Sequence, residues 1–214
     1  MTAPVVGIDG CRTGWIAVCL RGDRAEARYL PTIDAVTALA TDAAAIAIDI
    51  PIDLPASGRR ESDAVVRAAL GARRNSLFFT PVRAAIEAAT HADASAASIA
   101  AGAGGISQQA YRLGPKILEV AAWLPSAQCP VKEVHPELSF SVMLGHPAVY
   151  AKTTWGGIDE RTRALSDQGI ELDDVDEDAA RRAAPDDVLD AAACAWTARR
   201  LADGTAQSFV DIWA

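Results

Sequence analysis

The sequence is poor in basic residues relative to acidic ones. It has 20 Lys and Arg against 28 Asp and Glu, which gives a formal net charge of −8 at pH 7. Proteins that grip long nucleic acids usually carry a basic face, and an acidic protein repels a polyanion on average. The charge balance therefore argues against extensive non-specific nucleic-acid binding, although it leaves local contacts open.

Long apolar runs and paired cysteines are also missing. No uninterrupted apolar run approaches the roughly 20 residues that cross a bilayer, and no basic segment precedes an apolar one at the N-terminus. The 4 cysteines form no Cys-x-x-Cys pair and have no histidine partners at zinc spacing, which favours reduced thiols. We therefore expect a cytoplasmic protein with no membrane partner.

Apolar residues, in contrast, are plentiful, at 50% of 214 residues. This is enough to bury a sizeable core, and the length predicts one domain over residues 1–214. Residues 59–130 are rich in alanine and helical in pattern. We interpret them as a helical insertion or cap over a sheet, because they interrupt a chain that otherwise alternates strands and helices.

The strand pattern predicts a mixed sheet. A glycine-bracketed hairpin opens the chain, a third antiparallel strand follows a turn at 21–24, and a near-continuous apolar run fits a parallel strand that is buried on both faces. The predicted strands are residues 5–10, 14–20, 25–30, 44–50 and 131–135, with an edge strand at 208–213.

Capping residues and helical spacing predict the remaining elements. Thr32 is the predicted N-cap of a short crossover helix, and Ser62 of the first helix in the insertion. The predicted longer helices are residues 63–70, 82–89, 107–112, 115–124, 136–143, 158–168 and 186–202. A polar loop is predicted at 152–157 and an acidic, solvated linker at 173–178.

Four carboxylates occupy positions that predict a common site. Asp9 and Asp49 end two apolar strands, which a right-handed crossover would place side by side. Asp187 and Asp190 lie three residues apart, on one face of the last helix. Hard divalent ions prefer oxygen ligands, and two such ions support phosphodiester hydrolysis. We therefore predict Mg²⁺ or Mn²⁺ at these acids, with the alternative that each merely caps a turn or a helix start.

Other polar residues are candidates for accessory roles. Glu137 and His135 are predicted catalytic residues, with Glu133 nearby, since a histidine can move protons near neutral pH. The alternative is that His135 is a structural hydrogen-bonding group. Arg12, Arg74 and Lys152 are predicted substrate-binding cations for a phosphate, with an ordinary surface role as the alternative.

The motifs together resemble those of the DUF429 family, a group of predicted nucleases with an RNase H-like fold. The resemblance covers nearly the whole chain. It rests on Gly7-Ile8-Asp9-Gly10, on residues 48–55 around Asp49, on residues 133–140 around His135, and on residues 187–193. Between these, Arg60, Asp63, Arg67, Gly71, residues 74–81, Lys152-Thr153 and Glu160-Arg161 also resemble the family.

The closing Asp-x-x-Asp-Ala is similar to the last helix of Holliday-junction resolvases. These resemblances imply an α/β, RNase H-like mixed sheet with flanking helices, and a metal bound by Asp9, Asp49, Asp187 and Asp190. Many such nucleases have Glu at the second position, where this chain has the shorter Asp49.

The predicted function is metal-dependent hydrolysis of phosphodiester bonds in a nucleic acid or nucleotide. Two alternatives stay open: a phosphoryl-transfer enzyme of the actin-like ATPase and sugar-kinase type, and a non-catalytic RNase H-like binding protein. The acidic composition fits the second alternative, whereas the first normally needs a duplicated fold. We also expect a homodimer, because a free sheet edge invites pairing.

Overall fold

The computed structural model describes residues 3–22 and 24–214. The strands are β1 (Val5–Cys11), β2 (Gly14–Arg21), β3 (Arg24–Leu30), β4 (Ala45–Ile48), β5 (Val131–Val134), β6 (Asp174–Val175), β7 (Ser208–Phe209) and β8 (Ile212–Trp213). Within the described residues they form one eight-stranded sheet in the order β6-β3-β2-β1-β4-β5-β8-β7. The predicted turn at 21–24 includes Asp23, which lies outside the described residues.

The strand directions give a mixed sheet. β2 is antiparallel to both β1 and β3, whereas β1, β4 and β5 are parallel neighbours. The predicted α/β class is therefore confirmed, and the arrangement is consistent with an RNase H-like fold. Parallel neighbours matter for function, because their carboxyl ends lie at one edge of the sheet, where ligands of open α/β proteins bind.

Helices cover both faces of this sheet. They are α1 (Val36–Leu39), α2 (Glu61–Leu70), α3 (Arg83–Ile86), α4 (His91–Ala100), α5 (Gln108–Arg112), α6 (Gly114–Trp123), α7 (Pro136–Leu144), α8 (Trp155–Asp167), α9 (Glu177–Arg182) and α10 (Pro185–Ala202). No helix within residues 3–22 and 24–214 combines the length and the apolar character that a membrane crossing needs.

Alternate residues of the central strands pack into two apolar layers. On one face, Ile16 and Val18 of β2 pack with the buried alanines of α10 and with Phe140 of α7. On the other face, Ile8 of β1 packs with Ile117 of α6. Burial on both faces explains why the sequences of β1 and β4 are almost wholly apolar up to their final acids.

The chain between β4 and β5 is helical, as the sequence predicts. Its last helix, α6, lies on the sheet through Ile117 and Val120. Its first helix, α2, packs with α7 through Val66, Leu70 and Leu138. The helices between them, α3 to α5, form a separate small apolar cluster. The insertion therefore combines a sheet-covering helix with a lobe that has a small apolar cluster of its own.

Two predicted loops contain regular structure instead. The polar loop predicted at 152–157 ends early, because Thr154 Oγ1 accepts a hydrogen bond from the Gly157 N–H at 3.1 Å and α8 begins at Trp155. The linker predicted at 173–178 contains β6 and the start of α9, where Asp176 Oδ1 accepts from the Ala179 N–H at 2.6 Å. In both segments a side chain caps the start of a helix, although the polar sequence had predicted irregular structure.

One predicted N-cap is wrong. α2 begins at Glu61, so Ser62 lies inside the helix and is fully buried. Thr32 does occupy the N-cap position of a short 3₁₀ turn that leads into α1, but its side chain makes no capping hydrogen bond. The helix predicted at 82–89 is also shorter, since α3 spans only Arg83–Ile86.

Candidate active site

Asp9 and Asp49 lie side by side at the carboxyl ends of two parallel strands. Ile8 of β1 pairs with Ile48 of β4, and the Asp49 N–H donates to the Ile8 carbonyl oxygen at 2.9 Å. Asp9 is buried, with one carboxylate oxygen accepting from the Gly10 N–H at 2.8 Å. The strand ends therefore place two acids at one point on the sheet edge.

Asp190 reaches the same point because α10 lies directly on β1. A Cβ atom on Gly7 would lie 1.9 Å from the Ala195 nitrogen and 2.2 Å from the Ala191 oxygen. Only glycine permits this approach of the helix backbone to the strand. The N-terminal part of α10 consequently carries Asp190, which is 2% exposed, to the strand ends.

Electrostatics show that these three carboxylates are close neighbours. Burial raises the pKa of Asp9 well above its usual range, and the charges of Asp49 and Asp190 raise it further. Burial and the charge of Asp190 raise the pKa of Asp49 to about 8. Burial also raises the pKa of Asp190 to about 6, although Lys152 opposes the shift. Two buried acids and a half-buried one that lie this close together need either protons or a cation.

Lys152 supplies part of that positive charge. Its Nζ atom lies 2.6 Å from Asp190 Oδ2 and 3.4 Å from Asp186 Oδ2. Burial lowers the pKa of Lys152, but the hydrogen bond to Asp190 and the charges of Asp190, Asp9 and Asp186 together outweigh this effect, and the net shift is upward. Lys152 is therefore the cation that the chain itself brings to the acids.

The loop that carries Lys152 is held by α8. Both oxygens of the Glu160 carboxylate accept backbone N–H groups, from Val149 at 2.8 Å and from Tyr150 at 3.1 Å. Gly157 lies so close to this loop that a Cβ atom would be 2.0 Å from the Ala151 oxygen. The loop conformation, and with it the position of Lys152, is thus fixed by backbone contacts.

Arg161 joins α8 to α7 below that loop. It is fully buried, donates to the Gly157 carbonyl at 2.9 Å, and forms an ion pair with Glu137. The other Glu137 oxygen, Oε2, is buried without a hydrogen-bond partner among the described residues, and so is Asp190 Oδ1. The charge of Glu137 raises the pKa of both Asp49 and Asp190, so this fourth acid lies beside them.

His135 also lines this site, at the end of β5. Burial lowers the pKa of His135 to about 4, so the ring is neutral at pH 7. Its Nδ1 atom is buried and has no hydrogen-bond partner in the described part of the chain. A hydrogen bond with the Ser76 backbone opposes the shift, so the ring combines a structural contact with one nitrogen that has no partner among the described residues.

Asp187 lines the site, but one of its oxygens has a structural partner. Asp187 Oδ2 accepts from the Ala184 N–H at 2.9 Å, which caps the start of α10. Burial raises the pKa of Asp187, and this hydrogen bond opposes the shift. The sequence presented capping and metal ligation as alternatives, and the structure shows the capping contact.

Glu133 is held by Arg60. The guanidinium donates to both carboxylate oxygens, at 2.7 and 2.6 Å, and Ile52 donates its N–H to Glu133 Oε2 at 2.9 Å. Arg60 also pairs with Asp63 at 2.8 Å. This network fastens the first helix of the insertion to β5, so Glu133 acts as an anchor there.

Only one of the three predicted substrate-binding cations lines the site. Lys152 lines the site, whereas Arg12 and Arg74 are exposed and do not line it. Arg73, next to Arg74, does line it, but its guanidinium donates to the carbonyls of Ala148 and Val149. Arg73 thus braces the loop that leads to Lys152.

Lys116 of α6 is a neighbour of the acids that the sequence did not indicate. Its Nζ donates to the Gly14 carbonyl and lies 4.1 Å from the centroid of the Trp15 ring. Burial lowers the pKa of Lys116, while Asp9 and Asp187 are among the groups that oppose the shift. No local pattern distinguishes this lysine from others on a helix surface.

The acids, His135 and Lys152 border one cavity of about 520 Å³. Its lining includes Asp9, Asp49, His135, Glu137, Lys152, Asp187 and Asp190. In residues 3–22 and 24–214, no group of three or more His, Cys, Asp and Glu side chains is already arranged to hold a metal ion. The donor chemistry nevertheless fits a hard divalent cation, since all the acids offer oxygen and Asp190 Oδ1 and Glu137 Oε2 are buried and unpartnered.

The fold and this cavity define the molecule as a mixed α/β protein with a carboxylate-lined site at the carboxyl ends of its parallel strands. The model of the family described as "Protein of unknown function (DUF429)" matches residues 7–212, and the chain belongs to that family. No curated protein and no solved structure matches the chain.

Proposed function

We propose that the protein is a divalent-metal-dependent hydrolase of phosphodiester or related phosphate-ester bonds in a nucleic acid or nucleotide. The observation that carries the proposal is the convergence of Asp9, Asp49 and Asp190 in one cavity, where the charges of Asp49 and Asp190 raise the pKa of Asp9 and the charge of Asp190 raises the pKa of Asp49. Such a cluster resists ionisation unless a cation accompanies it.

Asp9, Asp49 and Asp190 would hold the ion, and Glu137 Oε2 is a fourth oxygen beside them. A Mg²⁺ or Mn²⁺ ion held by these acids would supply Lewis-acid activation of a water molecule and stabilisation of the leaving oxygen. In the reaction, the water oxygen forms a bond to phosphorus and the ester P–O bond breaks. One water hydrogen ends on the leaving oxygen and the other stays with the phosphate product.

The residues around the acids have distinct tasks in this proposal. Lys152 balances the charge of Asp190 and faces the cavity, where it attracts the phosphate. The neutral His135 offers the unpartnered Nδ1 atom as a hydrogen-bond acceptor for the attacking water or the substrate. Arg161 orients Glu137 through the buried ion pair.

The test is hydrolysis of a phosphodiester substrate in Mg²⁺ or Mn²⁺ by the wild type and by Asp9→Asn. We expect Asp9→Asn to lose about 100-fold or more in rate, since loss of even an outer-shell partner of a metal costs 10- to 100-fold. Asp53→Asn is the matched control, because Asp53 is exposed and does not line the cavity.

A binding measurement complements the rate. A cation that binds only the folded state raises its stability by RT ln(1 + [L]/Kd), about 2.7 kcal/mol at 100 times Kd. Mn²⁺ should therefore raise the melting temperature of the wild type and of Asp53→Asn, but much less that of Asp9→Asn. Equal activity and equal stabilisation in Asp9→Asn would remove Asp9 from the ligand set.

A further inference from the structure

The helical insertion contributes to the same cavity as the acids. Asp9, Asp49 and Asp190 line it, and so does a set of insertion residues, here called the insertion wall: Asn75, Ser76, Phe78, Gln109 and Leu113. The volume of about 520 Å³ falls within the range of roughly 300 to 1,000 Å³ that is typical of small-molecule sites. The acids thus share a pocket of small-molecule size with the insertion.

The insertion wall is anchored by buried ionic contacts. Arg60 binds Glu133 through two hydrogen bonds and Asp63 through two more, and Asp63 accepts from the Thr80 N–H at 2.7 Å. Asp63 is fully buried. Buried charge pairs are costly to break, so these contacts hold residues 60–80 of the insertion against β5.

The cavity also lacks the basic track that a nucleic-acid polymer needs. Among the described residues that line it, the cations Arg60, Arg73 and Lys152 are all bound to acceptors of the protein itself. A protein that grips duplex DNA neutralises several phosphates with Lys and Arg. Here a phosphate would meet Lys152, in addition to its contact with Asp190, and the cation proposed at the acids, rather than a row of Lys and Arg side chains.

The insertion wall offers the chemistry that a nucleobase requires. Phe78 and Leu113 supply apolar surface, and the amides of Asn75 and Gln109 each carry a donor and an acceptor. A nucleobase presents a π-face for stacking and donors and acceptors along its edge. The pocket lining therefore combines carboxylates suited to a metal ion with amide and apolar side chains suited to a base.

We propose that the substrate is a nucleoside phosphate of single-nucleotide size, with its phosphate at the acids and its base against the insertion wall. This inference rests on the proposed hydrolase function for its chemistry, but it makes a separate statement about which molecule fits. The bond that breaks is a phosphate ester or anhydride bond of the nucleotide, with water as the only co-substrate.

The test compares two neighbouring glutamines of α5. Both are exposed, but only Gln109 lines the cavity, so Gln109→Trp fills the pocket and Gln108→Trp is the matched control. The probes are the ribonucleoside 5′-monophosphates and 5′-triphosphates with Mg²⁺, measured by calorimetric titration and by product formation. Long single-stranded and double-stranded DNA and RNA are the competing probes.

We expect the wild type and Gln108→Trp to bind at least one nucleotide equally well, and Gln109→Trp to bind it about tenfold or more weakly, which corresponds to 1.4 kcal/mol. Asn75→Trp fills the same wall from another segment and should weaken binding in the same direction. Melting temperatures of the variants verify that each one is folded.

The outcomes separate this inference from the proposed function. Nucleotide binding that Gln109→Trp weakens, without hydrolysis in any metal, supports the inference and removes the hydrolase proposal. Internal cleavage of long nucleic acid, with no binding of nucleotides, overturns the inference and leaves the hydrolase proposal standing. Equal nucleotide affinity in Gln109→Trp and Gln108→Trp, or no nucleotide binding at all, also overturns the inference.

Discussion

The ammonium group of Lys152 lies 2.6 Å from the carboxylate of Asp190, at the point where the strand-end acids meet. A lysine ammonium and a divalent ion are both attracted to this carboxylate. The structure therefore has a cation of its own beside Asp190, and an added ion would share that acid with it. The consequence can be measured through stability.

Lys152→Met should destabilise the metal-free protein by about 1 kcal/mol, because Asp190 loses a charged hydrogen bond but Lys152 is partly exposed. Saturating Mg²⁺ should shrink this loss, because the ion takes over the balance of charge. Urea denaturation with and without Mg²⁺ measures both quantities. Lys132→Met, at an exposed position, is the control. A loss that Mg²⁺ leaves unchanged would separate Lys152 from the cation site.

The pH dependence of the free energy of unfolding should reveal the acids whose pKa values are raised in the folded protein. The folded-state pKa of Asp49, about 8, lies above its value in unfolded chains, about 3.9. The stabilisation that comes from the protonated Asp49 carboxyl group is therefore fully present below about pH 4 and is lost as the pH rises through about 8. Asp49→Asn should flatten this decline in metal-free protein, whereas the exposed Asp53→Asn should not. Denaturation curves across that pH range decide the point, and an unchanged slope in Asp49→Asn would contradict it.

Gly7→Ala should disrupt the packing of α10 on β1. The added Cβ would lie 1.9 Å from the Ala195 nitrogen, and backbone atoms cannot give way as a flexible side chain can. Overpacking of this kind costs about 1 to 3 kcal/mol or more. Gly105→Ala is the control, because its Cβ would lie 3.5 Å from the nearest atom, Ser95 Oγ. Thermal denaturation that shows equal stability for both variants would contradict the close approach.

Arg161 and Glu137 should show strong energetic coupling. Arg161→Met leaves the buried Glu137 carboxylate unpaired, so we expect a loss of about 3 to 5 kcal/mol. Adding Glu137→Gln removes the uncompensated charge, and the double variant should be less destabilised than the sum of the single variants. A double-mutant cycle from urea denaturation measures the coupling. Additive losses would mean that the ion pair contributes little.

The sheet could be predicted from sequence because its signals are local. The apolar runs of β1 and β4 and the glycines that flank the first turn specify strands that end in acids. Chain order and the handedness of crossovers then place Asp9 beside Asp49. The apolar neighbours of Asp190 on α10 indicate a helix face turned toward the sheet, and this predicted that Asp190 lies at the site.

The partners of the charged side chains could not be predicted, because they depend on contacts between distant segments. Arg60 meets Glu133 across 73 residues of sequence, and Lys152 meets Asp190 across 38. Arg12 and Arg74 are basic residues that the sequence analysis groups with Lys152, yet they are exposed and do not line the cavity. Lys152 lines the cavity because the folded arrangement of α8, with Glu160 and Arg161, holds the loop that carries it.

The dependence of Asp190 on α10 also bears on how the protein is made. Asp9 and Asp49 emerge from the ribosome early, whereas Asp190 follows more than a hundred residues later. During most of translation the strip of β1 around Gly7 has no helix to cover it. The nascent polypeptide therefore carries an incomplete set of acids, and the cluster forms only when the final long helix has been synthesised and has docked.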